Sequence, residues 1–500
     1  MKRINEETKR PNDKMTVPRR SLLAGESSPP ETRNRNPFLL AARPAPIAPA
    51  NTSLPGAKDK HRVQLDGHSG YNWTNVKDAN GRIMSTQSDD GYIYRHITPA
   101  LNDALADTPV VCLLGPRQCG KSTLARRCQP DRSYITLDDR NYLELARQDP
   151  EGFLEGLPHP VTIDEIQRVP ELTLAIKRSV DRDRQAGRFL LTGSANLLQL
   201  PRLADSLAGR MECLYLQPLT EAEKEGAPGD FLRRWLAGAL KPELPGRSDR
   251  EQFALPHRLV AGGYPEACFR KPQRARRWQR QYLQSIIERD IRDVAEVKDG
   301  ADVAQLLEYL ANQSASLLNI SATANALGHV RKTIERYLEI LERLFLIRRL
   351  PAWHSNRGKR LVKTPKVHLC DSGLAASLSD LRPEQWNLER KRFGHLLESF
   401  VVQQFVAMGH WTEIEPRFWH YRDKDQVEVD LVMEIGNQIW GVEVKAAASI
   451  NAKDGHGLQR LGRIAGPRFQ GGLVLYDGDA VLPIDREQNI MAAPLEKLWR

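Results

Sequence analysis

The sequence is poor in several features that would each define a class of protein. Its 500 residues contain six scattered cysteines and no Cys-x-x-Cys pair, so neither a zinc site nor a disulfide framework is expected. No apolar run approaches the about 20 residues that a membrane-spanning helix needs. No apolar segment follows the basic N-terminus, as it would in a secretory signal. We therefore expect a cytoplasmic protein without membrane contact.

Acidic residues are outnumbered by basic ones. The chain carries 73 lysines and arginines against 63 aspartates and glutamates, a formal net charge of +10. A basic balance permits contact with the phosphates of DNA or RNA. An arginine-rich composition and a basic tail would give the same charge without such a partner, so nucleic acid is one possible partner and not a required one.

Residues 1–85 lack the hydrophobic periodicity of folded structure. They are rich in proline, asparagine, arginine, serine and glycine, and such segments cannot bury enough apolar surface to offset the entropy cost of ordering. We predict a disordered tail and hypothesise that translation starts at Met84. Changes of pattern beyond the tail divide the chain into three predicted domains, residues 92–225, 226–353 and 354–500.

The first of these domains alternates short apolar runs with helical segments. Runs of this kind predict strands that are buried on both faces, and their alternation with helices predicts a parallel α/β sheet. The predicted strands lie within residues 110–114, 133–139, 160–165, 187–194 and 211–219.

The segment GPRQCGKST matches the G-x-x-x-x-G-K-[ST] pattern between a predicted strand and a helix, which is the context the pattern requires. Glycines let backbone N–H groups turn toward phosphate oxygens at the helix N-terminus. Lys121 is expected to reach the terminal phosphates, Ser122 to ligate Mg²⁺, and Thr123 to pack. The predicted nucleotide-binding residues are Gly115, Pro116, Arg117, Gln118, Cys119, Gly120, Lys121, Ser122 and Thr123.

Two acids follow the next buried run, VTIDE. Asp164 is predicted to hold Mg²⁺, directly or through water, and Glu165 to act as general base toward the attacking water. A pair of acids after an apolar strand is usually structural when it stands alone. After a complete phosphate-binding loop in the right context, the catalytic interpretation is favoured.

Polar residues at the end of a neighbouring strand complete the predicted site. Thr192, Ser194 or Asn196 is expected to position the attacking water, although a simple turn at Gly193 explains the same residues equally well. Arg210 is a candidate arginine finger, acting within the chain or from a neighbouring subunit of a homo-oligomer. The alternative for Arg210 is an ordinary surface arginine.

The middle of the chain is helical and basic. Residues 276–294 are strongly basic, and there Trp278 and Tyr282 are expected to be core residues and not platforms for bases. Residues 320–344 have the cadence of a helix-turn-helix with glycine at the turn. Its basic residues either contact DNA or belong to a segment that packs on the nucleotide domain; they include Arg331, Lys332 and Arg336.

The last domain places four charged residues where they can meet. Glu398 lies on an amphipathic helix, and Asp430 lies on a strand of alternating pattern. Glu443 and Lys445 share one face of the next strand because they are two residues apart. Asn437 between the strands suits a hairpin turn, which can bring Asp430 beside Glu443. Charged residues on an exposed hairpin face are also common without any function.

Several ordered motifs resemble the AAA+-type prokaryotic ATPases of the AAA_14/DUF4143 family. In the first half they are GPRQCGKSTL, TIDEIQRVPEL, FLLTGSANLL and SLAGRMECLYLQPLTEAE. In the second half they are GGYPEA, YLQSIIERDI, HLCDSGLAA, LLESFV and GVEVK. The resemblance runs from about Tyr92 to the C-terminus and implies ATP as the nucleotide. Cys119 departs from the pattern, where a small residue such as valine or serine is more usual.

A helical glutamate, an aspartate and a Glu-x-Lys strand also resemble the PD-(D/E)xK nucleases. The resemblance implies that Asp430 and Glu443 hold Mg²⁺, and that Glu398 and Lys445 assist catalysis. The expected fold class is therefore α/β, with three parts: a P-loop NTPase sheet of AAA+ type, a helical and winged-helix-like middle segment, and a C-terminal α/β domain of restriction-endonuclease type.

Two functions fit this organisation. The preferred hypothesis is an Mg²⁺-dependent ATPase whose nucleotide state controls a nuclease-like module that acts on nucleic acid. The alternative is an ATP-gated binding or scaffold protein in which the nuclease-like domain is inactive.

Overall fold

The computed structural model describes five stretches of the chain, residues 91–195, 207–244, 255–291, 300–360 and 363–500. All five belong to one compact unit. The predicted tail with its start at Met84, and Asn196, lie outside the described residues. Within these stretches no helix has both the length and the apolar character needed to cross a membrane.

The first sheet is parallel and confirms the sheet predicted from the apolar runs. Its spatial order is β2-β3-β4-β1-β5, and every neighbouring pair is parallel. Each strand lies within a predicted strand segment. The strands are β1 (Val110–Leu114), β2 (Ser133–Thr136), β3 (Val161–Asp164), β4 (Phe189–Gly193) and β5 (Met211–Tyr215).

Helices cover both faces of this sheet. In β1, Val111 and Leu113 share an apolar cluster with α1 and α2, whereas Val110, Cys112 and Leu114 pack with α3, α4 and α5. Since both faces are buried, the strand is a continuous apolar run. The helices are α1 (Thr98–Asp107), α2 (Lys121–Cys128), α3 (Arg140–Gln148), α4 (Pro150–Glu155) and α5 (Leu172–Arg182).

A helical region follows the first sheet. Its helices are α6 (Glu221–Glu225), α7 (Phe231–Leu236), α8 (Leu255–Ala261), α9 (Pro265–Cys268), α10 (Pro272–Ser285), α11 (Gly300–Asn312), α12 (Ile320–Leu327) and α13 (Arg331–Arg343). α10 continues into a π-helical turn, Ile286–Asp290. Gly328 ends α12 in the left-handed region with φ 70°, as a glycine after a helix commonly does. The predicted helix pair with a glycine turn is therefore present.

A small antiparallel sheet packs with these helices. It contains β6 (Ser316–Leu317), β7 (Ile347–Leu350) and β8 (Lys366–Leu369), in the order β6-β8-β7. The predicted domain boundary between residues 353 and 354 passes through this sheet, because β8 pairs with two strands that precede the boundary. The winged-helix assignment of this region stays a prediction.

The C-terminal region is a six-stranded mixed sheet with helices. Its order is β13-β14-β12-β11-β10-β9. The predicted hairpin is confirmed, since β10 and β11 are antiparallel and Ile435 pairs with Gln438 across the turn. The helices are α14 (Arg357–Arg360), α15 (Ser372–Leu378), α16 (Arg390–Trp411) and α17 (His456–Ala465). The strands are β9 (Arg417–Arg422), β10 (Glu428–Ile435), β11 (Gln438–Lys445), β12 (Phe469–Tyr476), β13 (Leu482–Asp485) and β14 (Ile490–Pro494).

Two motifs from distant parts of the sequence meet at Asp371. Its carboxylate accepts hydrogen bonds from the backbone N–H groups of Gly263 (2.7 Å) and Leu374 (2.8 Å). The second bond caps the N-terminus of α15. Gly262 is in the left-handed region, and a Cβ there would lie 2.5 Å from the Asp371 carboxylate. The GGYPEA and CDSG segments therefore join the helical region to α15, which is a structural role.

A buried ion pair joins the phosphate-binding loop to the helical region. The Arg95 guanidinium pairs with Glu223 at 3.0 Å and donates to the carbonyls of Cys119 (2.8 Å) and Gln217 (2.6 Å). Both charged residues are 4% exposed. Burial by itself acts to raise the pKa of Glu223, but the charge of Arg95 holds that pKa below its ordinary value. One side chain thus connects the loop, the end of β5 and α6.

Replacing Arg95 by methionine is expected to destabilise the fold by about 3–5 kcal/mol, because it leaves a buried carboxylate without its cation. Urea unfolding followed by tryptophan fluorescence measures the change. Arg182→Met is the matched control, since the Arg182–Glu155 pair is 66% and 68% exposed and such pairs contribute about 0–1 kcal/mol. Equal losses in the two variants would contradict the role given to Arg95.

Candidate nucleotide site and carboxylate cluster

The loop between β1 and α2 has the geometry of a phosphate-binding loop. A Cβ on Gly115 would lie 2.1 Å from the carbonyl oxygen of Leu216, so only glycine fits there. Gly120 has φ 103° at the start of α2, which frees the backbone to present N–H groups at a helix N-terminus. The Lys121 ammonium donates to the carbonyls of Gly115 (2.9 Å) and Pro116 (2.8 Å).

The other loop residues differ in exposure. Gln118 is exposed and has φ 59°, and Arg117 is half-buried. Cys119 is fully buried, and its thiol lies 3.5 Å from the Leu216 carbonyl. The cysteine therefore fits at this position, where the family pattern usually has a residue such as valine or serine. Thr123 is exposed. The expectation that Thr123 packs is wrong, because Leu124 and Ala125 form the buried face of α2 at this point.

Three hydroxyl groups surround the carboxylate of Asp164 at the end of β3. Ser122 Oγ donates to it at 3.1 Å, Tyr134 donates at 2.6 Å, and Thr192 also donates to it. Burial and the neighbouring Asp164 raise the pKa of Tyr134 to about 12, so this donor keeps its proton. None of the three donors carries a charge that would neutralise the carboxylate.

Glu165 is held beside this group in an uncommon backbone conformation. Its φ is 59°, which is rare for a residue other than glycine and is found preferentially at functional sites. Its carboxylate accepts a hydrogen bond from Ser194 Oγ at 2.9 Å and another from Gln167. Gln167 also donates to Ser194 at 2.9 Å. These contacts fix the orientation of Glu165 beside Asp164.

The structure separates Arg210 from these residues. Arg210 precedes β5, and its carbonyl accepts from Val110 N at the start of β1, whereas the loop follows the end of β1. Because the strands are parallel, Arg210 lies at the opposite edge of the sheet, where it pairs with Asp181 at 2.5 Å. The hypothesis of an arginine finger acting within the same chain is therefore wrong.

The helical region contacts the loop at Arg117. The hydroxyl of Tyr282 on α10 donates to the Arg117 carbonyl at 3.0 Å. The guanidinium of Arg117 pairs with Asp290, in the turn after α10, at 3.0 Å. Tyr282 is buried, as predicted, but Trp278 is partly exposed. α10 and the turn after it therefore hold Arg117 through both its backbone and its side chain.

The four predicted C-terminal residues lie around one face of the hairpin. Leu431 pairs with Val442, which sets Asp430 opposite Glu443. Asp430 also accepts a hydrogen bond from Val444 N at 2.9 Å, and Lys445 pairs with Glu443 at 2.7 Å. Burial and the neighbouring Asp430 raise the pKa of Glu443 to about 8. Gln459 on α17 donates to Asp485 at 2.9 Å.

A lysine that the sequence did not single out lies among these carboxylates. The ammonium of Lys366, on β8, pairs with Glu398 at 2.6 Å, with Asp430 at 3.5 Å, and also with Glu428. Lys366 is 2% exposed. Burial by itself acts to lower the pKa of Lys366, but the three carboxylates raise it above its ordinary value. Lys366 is therefore a buried ammonium ion, placed where carboxylates would otherwise face one another.

The same positions were predicted to hold a metal ion. Asp430 and Glu443 are now seen with the ammonium groups of Lys366 and Lys445 as their cationic neighbours. Among the residues that the structure describes, no group of three or more His, Cys, Asp or Glu side chains is arranged to hold a metal ion.

Sequence reasoning missed Tyr134, Gln167 and Lys366. Gln167 lies two residues after Glu165 in the TIDEIQRVPEL motif, which is a usable local signal. Tyr134 and Lys366 each lie in ordinary strand segments, 30 and 32 residues from their partners Asp164 and Glu398. Nothing local in those segments indicates where either side chain points.

Family models match three successive parts of the chain. An AAA domain matches residues 107–224, a domain of unknown function (DUF8612) matches 252–385, and a second domain of unknown function (DUF4143) matches 393–498. The first match contains the loop, both acids of the nucleotide site and the end of β4. The third contains Glu398, Asp430, Glu443 and Lys445 but not Lys366.

The chain is similar to proteins of other organisms in sequence and in structure. Uncharacterized proteins of Mycobacterium bovis and Mycobacterium tuberculosis are each 29% identical over 411 residues, which is 81% of this chain and 84% of theirs. A Walker-type ATPase of Pyrococcus abyssi is 15% identical with a TM-score of 0.35, and the match covers 59% of this chain and 99% of that one.

The parallel sheet, the loop and the AAA match together define a P-loop ATPase domain. With the DUF4143 match in the second half, the domain matches support a P-loop ATPase of the AAA_14/DUF4143 family.

Replacing Lys366 by methionine is expected to lower the stability at pH 8 by about 3–5 kcal/mol, because buried carboxylates lose their cation. The loss should shrink at pH 5, where protonation relieves the repulsion, and on adding Mn²⁺, which prefers carboxylate oxygens. Urea unfolding measures both. Lys497→Met, which removes a surface lysine paired with Glu243, is the control. A loss no greater than in this control would contradict the assignment.

Proposed function

We propose that the protein hydrolyses ATP at the loop of residues 115–123 with Mg²⁺ as cofactor. The observation that carries the proposal is the contact between Ser122 and Asp164, with Glu165 fixed beside it. A site that hydrolyses a nucleotide needs oxygen ligands for the metal ion and a general base for the attacking water. Ser122 and Asp164 offer the first and Glu165 the second, and all three lie at or beside the loop. ATP as the nucleotide is inferred from the family.

Each side chain has a role that its position supports. The backbone N–H groups of Gly115 to Gly120 bind phosphate oxygens, and the Lys121 ammonium binds the terminal phosphates once it leaves the loop carbonyls. Glu165 takes a proton from the attacking water, and Ser194 and Gln167 hold its carboxylate in position. Thr192 keeps Asp164 in place at the end of the neighbouring strand.

The residues present fit a magnesium ion. Ser122 and Asp164 offer hard oxygen atoms, which Mg²⁺ prefers, and Mg²⁺ in such sites takes its other ligands from phosphates and water. When bound, Mg²⁺ offsets the negative charge of the phosphate oxygens. The neutral donors around Asp164 leave its charge available to a cation.

Replacing Glu165 by glutamine should lower kcat for ATP hydrolysis by about 100-fold or more, as the loss of a general base does. ATP binding should persist, because the loop is unchanged. Phosphate release and equilibrium binding of a fluorescent ATP analogue measure the two properties. Glu171→Gln, at an exposed acid near the start of α5, is the matched control. Normal turnover in Glu165→Gln would remove Glu165 from the mechanism.

We further propose that nucleotide state acts on the C-terminal region through α16. Gln403 on α16 donates to the Gln217 side chain at 2.8 Å, and the Gln404 side chain accepts from Glu221 N at 2.9 Å. Gln217 and Glu221 follow β5, the strand beside β1. The same helix carries Glu398 in the carboxylate cluster, so a shift of the β5 end would reach that cluster.

The position of Lys366 favours the second candidate function, in which the C-terminal module recognises a partner and does not cleave it. A buried ammonium ion that pairs with Glu398, Glu428 and Asp430 supplies the positive charge that a metal ion would otherwise provide. Releasing this ammonium to admit Mg²⁺ would require a buried lysine to move.

We expect wild-type protein to leave supercoiled plasmid, single-stranded DNA and RNA intact in Mg²⁺ or Mn²⁺, with or without ATP. Gel analysis against Asp430→Ala and Lys445→Ala detects any cleavage that depends on the cluster. Cleavage that both substitutions abolish would establish the nuclease function and refute the non-cleaving module. ATP hydrolysis is measured on the same samples, so the two proposals are tested separately.

A further inference from the structure

The outer face of α10 is strongly basic. The helix contains four arginines and no acid, and Arg270 and Lys271 come directly before it. Arg276 and Arg280 share one carboxylate, that of Asp380, and Arg270 pairs with Glu266 at 2.6 Å. Arg274 and Arg277 are exposed, and neither forms an ion pair with any other residue that the structure describes. This face therefore carries positive charge that no described residue neutralises.

The arginines border an open groove. Its volume is about 590 Å³, and it is lined by Arg270, Gln273, Arg274, Arg277, Trp278 and Gln281. Guanidinium groups bind phosphates with two parallel hydrogen bonds. The glutamine amides add uncharged donors, and a partly exposed indole adds an aromatic surface on which a base can stack. Proteins that bind single-stranded nucleic acid combine such a basic groove with aromatic side chains.

The helix first expected to contact DNA offers a weaker surface. α13 has four basic residues, but Glu335, Glu339 and Glu342 lie among them. Arg331 pairs with Glu335 at 2.8 Å, and Glu342 pairs with Arg349. Carboxylates interspersed in this way repel phosphates. The charge distribution therefore favours α10.

The inner face of α10 leads to the nucleotide site. The Trp278 ring stacks on the Tyr282 ring, with centroids 5.0 Å apart and an interplanar angle of 12°. The Tyr282 hydroxyl donates to the Arg117 carbonyl in the phosphate-binding loop at 3.0 Å. Asp290, after the same helix, pairs with the Arg117 side chain. Only two aromatic rings separate the groove from the loop backbone.

We propose that the groove of α10 binds single-stranded nucleic acid, with phosphates on Arg274 and Arg277 and a base against Trp278, and that Tyr282 transmits this binding to the loop. Occupancy of the groove restrains Trp278, the stacked Tyr282 follows, and its hydrogen bond holds the Arg117 backbone in one arrangement. The proposed coupling rests on the proposed function of the loop in binding ATP. By thermodynamic linkage, ATP and nucleic acid then alter each other's affinity by the same factor.

The test uses the full chain and fluorescently labelled 20-nucleotide oligo(dT) and oligo(rU), followed by anisotropy with and without a non-hydrolysable ATP analogue. Wild-type protein should bind the oligonucleotide, and the analogue should change its affinity by about fivefold or more. Arg274→Ala/Arg277→Ala should weaken binding and reduce the slope of log affinity against log salt by about 1.4, since each single-strand phosphate contact contributes about 0.7.

Two further variants separate binding from coupling. Arg331→Ala/Lys332→Ala on α13 removes the same charge and should bind the oligonucleotide as wild type does. Tyr282→Phe retains the stacked ring without the hydroxyl, so it should bind the oligonucleotide normally and lose the effect of the ATP analogue. Melting temperatures of all variants confirm that each one folds.

Several outcomes would overturn the proposal. Equal binding by the α10 and α13 variants would place the contact elsewhere. Equally tight binding of duplex DNA or of polyglutamate would refute a single-strand groove, and the second would indicate an acidic protein partner. An unchanged analogue effect in Tyr282→Phe would refute the relay. Because no arm requires ATP turnover, a protein that binds but does not hydrolyse ATP refutes only the proposed hydrolysis.

Discussion

The buried pair of Arg95 and Glu223 is the constraint on which the arrangement of the nucleotide site depends. Two opposite charges removed from water are tolerable only when their remaining hydrogen bonds are satisfied, and Arg95 satisfies its own by reaching the carbonyls of Cys119 and Gln217. The loop cannot move relative to the end of β5 without disturbing that network. α6, which holds Glu223, is also the first helix of the helical region. The position of the loop and the path of the chain are thus set together.

The buried carboxylates of two sites in the molecule are stabilised in different ways. Asp164 accepts hydrogen bonds from the neutral hydroxyls of Ser122, Tyr134 and Thr192. These bonds satisfy its oxygen atoms but do not neutralise its negative charge. Glu398 and Asp430 instead face the ammonium of Lys366, which supplies the opposite charge from within the chain. The first arrangement favours an incoming cation. The second opposes one, because a cation would have to displace a buried lysine that three carboxylates stabilise.

Local patterns were sufficient to predict the parts of the molecule that local physics determines. The five parallel strands, the phosphate-binding loop and the β10–β11 hairpin follow from continuous apolar runs, glycine spacing and alternation. Arg95, Tyr134 and Lys366 could not be predicted, because each acts on residues 24 or more positions away. Lys366 stands in KVHL, which indicates a short strand and nothing about its direction. The pairing of β8 across the predicted boundary at 353/354 could not be predicted for a related reason, since strand pairing leaves no trace in composition.

α16 explains why the two sites should be considered together. It is a 22-residue helix, 13 of whose residues are buried, so it has little freedom to bend. Gln403 and Gln404 fix its middle to the segment after β5, and Glu398 lies less than two turns earlier in the cluster with Lys366. A rigid helix that is tied to the segment after β5 at its middle, and that carries Glu398 of the charge cluster less than two turns away, is suited to transmit a displacement between the two. This arrangement supports the proposal that the C-terminal module responds to nucleotide state and does not act independently of it.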